Sequence, residues 1–493
     1  MTGDRIRLRR PQLAALGLVL LATLAGAIAW RVGKEELPDT LSFEPIAVVE
    51  NHRRALAHWA ARGLRRRTLV HLDSHDDLKR IPEARILVLK RLLLPPGGQP
   101  SQAAADQATT QVEDGNFLYA AAKLGIIDTV YWVVPVRLFT DQEQLPAFLH
   151  HHNFSAEDIA GFRYRDGCFH GRIDEIPLNI CGIETLPSFR ESVLLSIDVD
   201  FFPTLADSYG EWPAAAVGRA LQALAGRLRG VEHTLVAYSV DGGHLKTRHR
   251  WVGDLLVEAL RNPWLLAEQP LPARYAVLQQ AERLCVMGRH EALLDEVLPR
   301  LSPETAEPAL LTYLAGSLAE LDADAHAYLF AEQACLANRS YCYGLCELAC
   351  SLLGTKGLAA AERFFQRAYQ LHPGMAHGQF RLARALQEAG RLEEAVRYFG
   401  IFRERYGPFP ADFYLGRAHL LAGDTTRARA AFDSARQALL ASVNPWSEFG
   451  DAGIVQEAIR FYEEHGSPEL AQELRFALEV RGQLFRPRPH PEH

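Results

Sequence analysis

No surplus of basic charge marks this chain: 53 Lys and Arg stand against 60 Asp and Glu, a formal net charge of -7, and the isoelectric point is near 6.3. Nucleic-acid binding normally shows as a basic domain, so nucleic acid is not an expected partner. Cysteine is scarce too, with seven residues at positions 168, 181, 285, 335, 342, 346 and 350. An odd, scattered set argues against a disulfide framework. Cys342, Cys346 and Cys350 share helical spacing, which small buried residues on one helix face explain as well as a soft-metal site does. Nor is apolar residue lacking: 48% of the chain is hydrophobic and 23% charged, the composition of folded domains. At 493 residues the chain exceeds one ordinary core, which predicts two or three domains.

The first 35 residues differ from the rest. Arg5, Arg7, Arg9 and Arg10 precede an uncharged apolar run from Leu13 to Trp30. At about 1.5 Å per helical residue this run just spans a hydrocarbon core about 30 Å thick. Arg31 and Lys34 beyond it are offset by Glu35, Glu36 and Asp39, so the N-terminus is expected in the cytoplasm and everything downstream outside it. Residues 1–35 therefore read as a transmembrane signal anchor or, with small Ala27 and Ala29 near a cleavage point, as a signal peptide of an exported chain.

From residue 270 the texture is Ala- and Leu-rich with helical periodicity. Ala327, Ala361, Ala395 and Ala428 recur about every 34 residues, the tetratricopeptide period. Leu382-Ala383, Gly390, Ala395 and Phe399 form one set, and Leu415-Gly416, Gly423, Ala428 and Phe432 repeat it. One helix pair cannot bury its own apolar face, so pairs must stack. We expect about five of them, an all-α solenoid over 270–483, followed by a Pro-rich tail at 484–493 that does not fold. The concave groove of such an array suits a peptide or protein partner; a spacer or dimerisation role is the competing reading.

Residues 40–265 alternate short apolar runs with helical stretches, the pattern of an α/β domain with a mostly parallel sheet between helix layers. "RTLVHL", "DTVYWVVPV", "SVLLSIDVD" and "HTLVAYSV" read as buried strands. Ligands of open α/β sheets sit beyond the carboxyl ends of strands. Asp73, His75 and Asp77 follow the first run, Asp198 and Asp200 end the third, and Asp241 follows the fourth. Alternate residues of an extended chain face one side, so each set can converge. Carboxylates about 4 Å apart repel by roughly 4 kcal/mol per pair at an effective dielectric near 20, and a cation must offset that. Carboxylates and imidazoles without thiolate suit divalent manganese, iron or zinc, and four carboxylates suit two ions better than one.

"DSHDD" followed downstream by "SIDVDFF" resembles the paired D-x-H-x-D and S-x-D-x-D metal signatures of the ureohydrolases, the arginase and deacetylase-like superfamily. With "ENHRRAL" and "DGNFLYAAAKLGIIDTVYWV" the resemblance is closer to the branch containing the peptide arginases, over roughly 220 residues that exclude the repeats. It implies a binuclear manganese site. His52 and Asp77 would lean toward one ion, His75 with Asp198 or Asp200 toward the other, and Asp73 would bridge them. His71, inside the strand, is the competitor of His52 and is expected to support or pack instead. The implied reaction is attack of hydroxide held between the ions on the guanidinium carbon of arginine, giving ornithine and urea.

Arginases carry a Gly-Gly pair and then a Glu that holds the guanidinium, whereas "DGGHLKTRH" keeps Gly242 and Gly243 but places Arg248 near that position. Asp241 is the candidate replacement, and His244 the candidate acid–base residue. Glu113, Asp114 and Asn116 in "EDGNF" are expected either to bind a cationic substrate or to cap the helix that follows. The preceding "PPGGQPSQAAADQATTQ" reads as a mobile lid, and His150, His151 and His152 as a solvated loop. The sequence thus predicts a membrane-anchored hydrolase of C–N bonds acting on peptidyl arginine gripped by the repeats. Its alternatives are an amide hydrolase of deacetylase type and a non-catalytic metal- or ligand-binding scaffold.

Overall fold

Eight strands form one sheet: β1 (Ile46–Val49), β2 (Arg67–Leu72), β3 (Ile127–Val134), β4 (Arg163–Arg165), β5 (Cys168–Ile173), β6 (Ile176–Gly182), β7 (Val193–Asp198) and β8 (Val231–Ala237). The computed structural model describes residues 41–482 apart from 97, 137–141, 150–153, 242, 267–270, 301–306, 375–376 and 442–451. The segment expected to anchor or export the chain, residues 1–35, lies outside the described residues, as do the tail at 484–493, His150, His151, His152 and Gly242. Among the described residues no helix is long and apolar enough to cross a membrane.

The strand order is β1-β8-β7-β2-β3-β6-β5-β4. Every pairing from β1 to β6 is parallel; β5 pairs antiparallel with both β6 and β4. The four strands read from the sequence are β2, β3, β7 and β8. In β2 and β7 both alternating sets are buried, Leu69 and Leu194 on one side, Val70 and Leu195 on the other. Apolar cover on both faces is what near-continuous Val/Ile/Leu runs signal.

The hairpin β5–β6 turns at Asp174, whose φ of 50° uses the left-handed region that Asp tolerates better than most residues. Cys168 and Cys181 stand directly opposite in that hairpin and form a disulfide. A second disulfide joins Cys335 to Cys342. This corrects the reading of the cysteines, since pairing depends on strand register and helix packing that spacing does not reveal. It also takes Cys342 out of the Cys342-Cys346-Cys350 set. Cys285, Cys346 and Cys350 remain as thiols. Thiol titration of the denatured protein should therefore find three reactive groups per chain before reduction and seven after it; seven at both stages would exclude the disulfides.

Beyond helix Arg250–Arg261 the described residues are helical, in six successive pairs from Ala273–Val286 with His290–Val297 to Ala452–Glu464 with Pro468–Gly482. Ala327, Ala361, Ala395 and Ala428 are all fully buried, which is why a small residue recurs at this position. At Gly416 a Cβ would stand 2.5 Å from the Phe432 ring, so the two helices of that pair can approach only because the residue is glycine.

Sheet and repeats are joined. From Ser42 on the chain forms one compact unit. Helix Arg250–Arg261 packs against Ala273–Val286, and the 3-10 turn Thr247–His249 packs against Pro308–Glu320 and Tyr343–Lys356.

Candidate metal centre

The topology decides where a site can form. After β2 the chain moves to β3 on one side, and after β7 it moves to β8 on the other, yet β2 and β7 are neighbours. Connections that leave adjacent parallel strands in opposite directions open a crevice beyond their carboxyl ends. Asp73 follows β2, and Asp198 and Asp200 close β7 at this point, so the two acidic sets meet there by strand order. His52 enters from the turn between β1 and helix Arg54–Ala61.

Asp73 lies at the middle. Its Oδ2 is 3.1 Å from His52 Nδ1 and 3.3 Å from His71 Nε2, while Oδ1 is 3.3 Å from His75 Nδ1. His52 Nδ1 also faces Asp77 Oδ2 at 3.5 Å and Asp198 Oδ2 at 3.2 Å. His75 Nδ1 faces Asp200 Oδ2 at 3.0 Å. Two donor sets result that could each hold an ion: His52, His71 and Asp73, and Asp73, His75 and Asp200. Asp73 is common to both. Asp198, left open between the two by the sequence, sides with His52. His71 departs from expectation: its ring reaches the cluster, because strand alternation sends residue 71 to the same side as Asp73.

Neighbours orient these groups. Ser196 Oγ is 2.7 Å from His52 Nε2, which turns Nδ1 toward the carboxylates. Ser239 Oγ donates to Asp198 Oδ2 at 2.5 Å, and the His75 backbone N–H donates to Asp73 Oδ1 at 2.7 Å. His52, His71, Asp73, Asp77, Asp198 and Asp200 are all buried. His75, with its side chain 39% exposed, is the member open to solvent.

Burial raises the Asp198 carboxyl to about 6, with the charges of Asp200 and Asp73 adding to the effect. Asp77 is raised well above the usual range by burial and then by Asp73. Burial would raise Asp73, but the adjacent imidazoles of His52 and His75 hold it well below that range. Burial also disfavours charge on His52 and His75, yet Asp198 and Asp73 hold His52, and Asp200 holds His75, well above the usual imidazole value. Burial pushes His71 down to about 3, the nearby Asp73 charge opposing it only in part.

His52 Nδ1, both ring nitrogens of His71, Asp73 Oδ2 and Asp200 Oδ2 are buried without a well-directed hydrogen bond. A buried polar group left unsatisfied costs about 1–3 kcal/mol, and here several converge on one small volume. Oxygen and imidazole donors in this arrangement fit hard or borderline divalent cations.

Around the cluster, His244 lies with its ring centre 5.2 Å from that of His75. Asp241 has its Oδ1 buried and unpartnered; burial raises its carboxyl, opposed by Arg250 and Arg339. Arg248 turns away toward His249 and Cys285. Asp114 Oδ1 accepts the Arg53 N–H at 2.9 Å, beside His52, and Asn116 Oδ1 accepts the Glu113 N–H at 2.8 Å; Asn116 caps no helical N–H with its side chain. Both thus hold backbone near the site. The stretch expected as a lid contains helix Gln102–Thr109, because Ser101 caps it through the Ala104 N–H, and that helix packs against Glu83–Leu93 and Arg54–Ala61. Glu50, the first residue of "ENHRRAL", holds the loop after β8: its Oε1 accepts the N–H groups of Val240 and Asp241.

Residues 352–400 match the tetratricopeptide repeat family, and the C-terminal helical region contains tetratricopeptide repeats. That match lies outside the sheet. Among solved structures the chain is similar to MamA, at 15% identity over 34% of this chain and 95% of that one with a TM-score of 0.27. It is also similar to a Podosopora anserina kinesin light chain with nearly identical TPR-like repeats, at 18% identity over 35% and 93% of the two chains with a TM-score of 0.26. No curated protein has a significantly similar sequence.

Proposed function

We propose that the chain is a divalent-metal hydrolase of C–N bonds, arginase-like, converting arginine within a peptide to ornithine and urea. The observation that supports this reading is the meeting of His52, Asp73, His75, Asp77, Asp198 and Asp200, joined by His71, at the β2–β7 crevice, where atoms of His52, His71, Asp73 and Asp200 are buried without a hydrogen-bond partner. These residues would hold two manganese ions. Such ions, when bound, supply water acidic enough to act as a nucleophile at neutral pH.

The remaining chemistry falls to the chain. Asp241 is proposed to offer the carboxylate for a guanidinium, and His244, its ring centre 5.2 Å from that of His75, to carry a proton to or from the leaving amine. Tetratricopeptide arrays commonly bind protein segments, and the repeats are proposed to grip the peptide that carries the arginine. Residues 1–35 are proposed to anchor the protein in a membrane with the folded part outside the cytoplasm, or to direct its export. The two disulfides support that placement, because disulfides persist in oxidising compartments.

Urea release from arginine-containing peptides, free arginine and acetyl-lysine peptides tests the reaction with manganese present. Urea from the peptides is the expected result. Acetate from acetyl-lysine would favour the deacetylase alternative. Metal binding without release of either product would favour the non-catalytic scaffold, to which the displaced Arg248 lends some support.

A further inference from the structure

The loop from Ser239 to His249 carries Asp241 and His244, and it is pinned at both ends. At its start Ser239 donates to Asp198, the Ser239 N–H donates to the Glu50 carbonyl at 2.8 Å, and Glu50 Oε1 accepts from Val240 and Asp241 at 3.1 and 3.2 Å. Glu50 Oε2 pairs with Arg250 at 3.2 Å. The Arg250 guanidinium lies 3.8 Å from the centre of the Tyr238 ring and 5.9 Å from that of Tyr341, a repeat residue. Within the loop the His244 and Leu245 N–H groups donate back to the Ser239 carbonyl at 3.2 Å, and at the far end the repeats supply an anchor: Glu347 Oε1, on helix Tyr343–Lys356, accepts the Thr247 N–H at 2.9 Å. Between the two ends, Gly243 has a φ of +79°, and a Cβ there would stand 2.5 Å from the Tyr343 hydroxyl. The loop thus presses directly on the helix that holds its end.

We propose that the third helix pair of the repeats (Tyr343–Lys356 and Leu358–Leu371) positions the loop carrying Asp241 and His244 over the carboxylate–imidazole cluster, with Glu347 as the positioning residue. The repeats are then a wall of the active site as well as a docking surface. The inference rests on the hydrolase reading for its catalytic consequence only, since the loop's attachment is a property of the fold. Glu347 touches none of the cluster residues, so its removal should leave the metal-holding groups in place. A single acceptor lost to a buried N–H opens the backbone locally.

Hydrogen exchange of the 239–249 segment, manganese content and turnover are measured on full-length Glu347→Ala and Glu347→Gln proteins. In Glu347→Ala, exchange of that segment should quicken by about tenfold or more, manganese content should stay at the wild-type level, and kcat should fall more than KM rises. Glu347→Gln, which keeps an acceptor oxygen, should restore protection and kcat. Gly243→Ala should quicken exchange in the same segment with Glu347 intact. Unchanged exchange at 239–249 in Glu347→Ala, or faster exchange confined to the repeats, would overturn the proposal. Wild-type protein that turns over no substrate but shows the exchange response would sink the hydrolase reading and keep the positioning one.

Discussion

Asp73→Asn is expected to reduce bound manganese from two ions per chain to near zero and turnover by about a thousandfold or more, the scale of several kcal/mol of lost electrostatic stabilisation. Asp73 is the one carboxylate shared by both donor sets, with one oxygen toward His52 and His71 and the other toward His75. Every other ligand candidate belongs to one side. Asparagine keeps an oxygen for the His75 backbone N–H that Asp73 accepts, and the Asp73 carbonyl that receives the Trp132 indole N–H is untouched. The fold should therefore survive, with far-ultraviolet dichroism unchanged. Asp200→Asn, in the set with Asp73 and His75 alone, should lose one ion and keep the other. Equal metal content in wild type and Asp73→Asn would mean that the cluster is not where metal binds.

The second large effect is expected from removing the repeats. A chain ending at residue 272 should fail to fold its sheet domain stably, and activity on a small guanidino compound should vanish together with activity on a peptide. Trp251 is fully buried, its indole N–H donates to Tyr313 at 3.0 Å, and its ring centre is 6.3 Å from that of Tyr275. Both tyrosines lie beyond the cut. An aromatic side chain of about 150–250 Å², exposed at about 25 cal/mol per Å², costs up to roughly 6 kcal/mol. Whole domains are stable by only about 5–15 kcal/mol. Arg274 would also be lost from Asp254 and Glu258, and Glu347 from Thr247. Full-length protein should correspondingly melt in one transition. A soluble fragment with full activity on the small substrate would show that the contacts between sheet and repeats are incidental.

Much of the site was legible because its parts are local. The alternation that aligns Asp73, His75 and Asp77, and again Asp198 and Asp200, needs only an extended chain, and the apolar runs ahead of them mark the strands. Applied one step earlier, the same rule brings His71 to the side of Asp73; the expectation that a histidine inside a strand would pack in the core concealed it. His52 could be named only through resemblance, since nothing local ties the turn after β1 to the end of β2. Ser196, Ser239, Glu50 and Glu347 act through contacts set by strand order and by the stacking of repeats on the sheet. The disulfides were missed for the same reason, as Cys168 and Cys181 meet by register. In the repeats the period itself was readable, because each unit needs the same small residue where its helices touch.

The most direct test of the central claim is a manganese titration of metal-free full-length protein by calorimetry in buffers of different ionisation enthalpy. Two ions per chain should bind with release of protons, because carboxylate neighbours raise the proton affinity of His52 and His75 against the effect of burial and metal competes with protons for those nitrogens. Binding should weaken as pH falls. Absence of binding, or binding of equal strength and stoichiometry in Asp73→Asn, would contradict a two-ion site at the β2–β7 crevice.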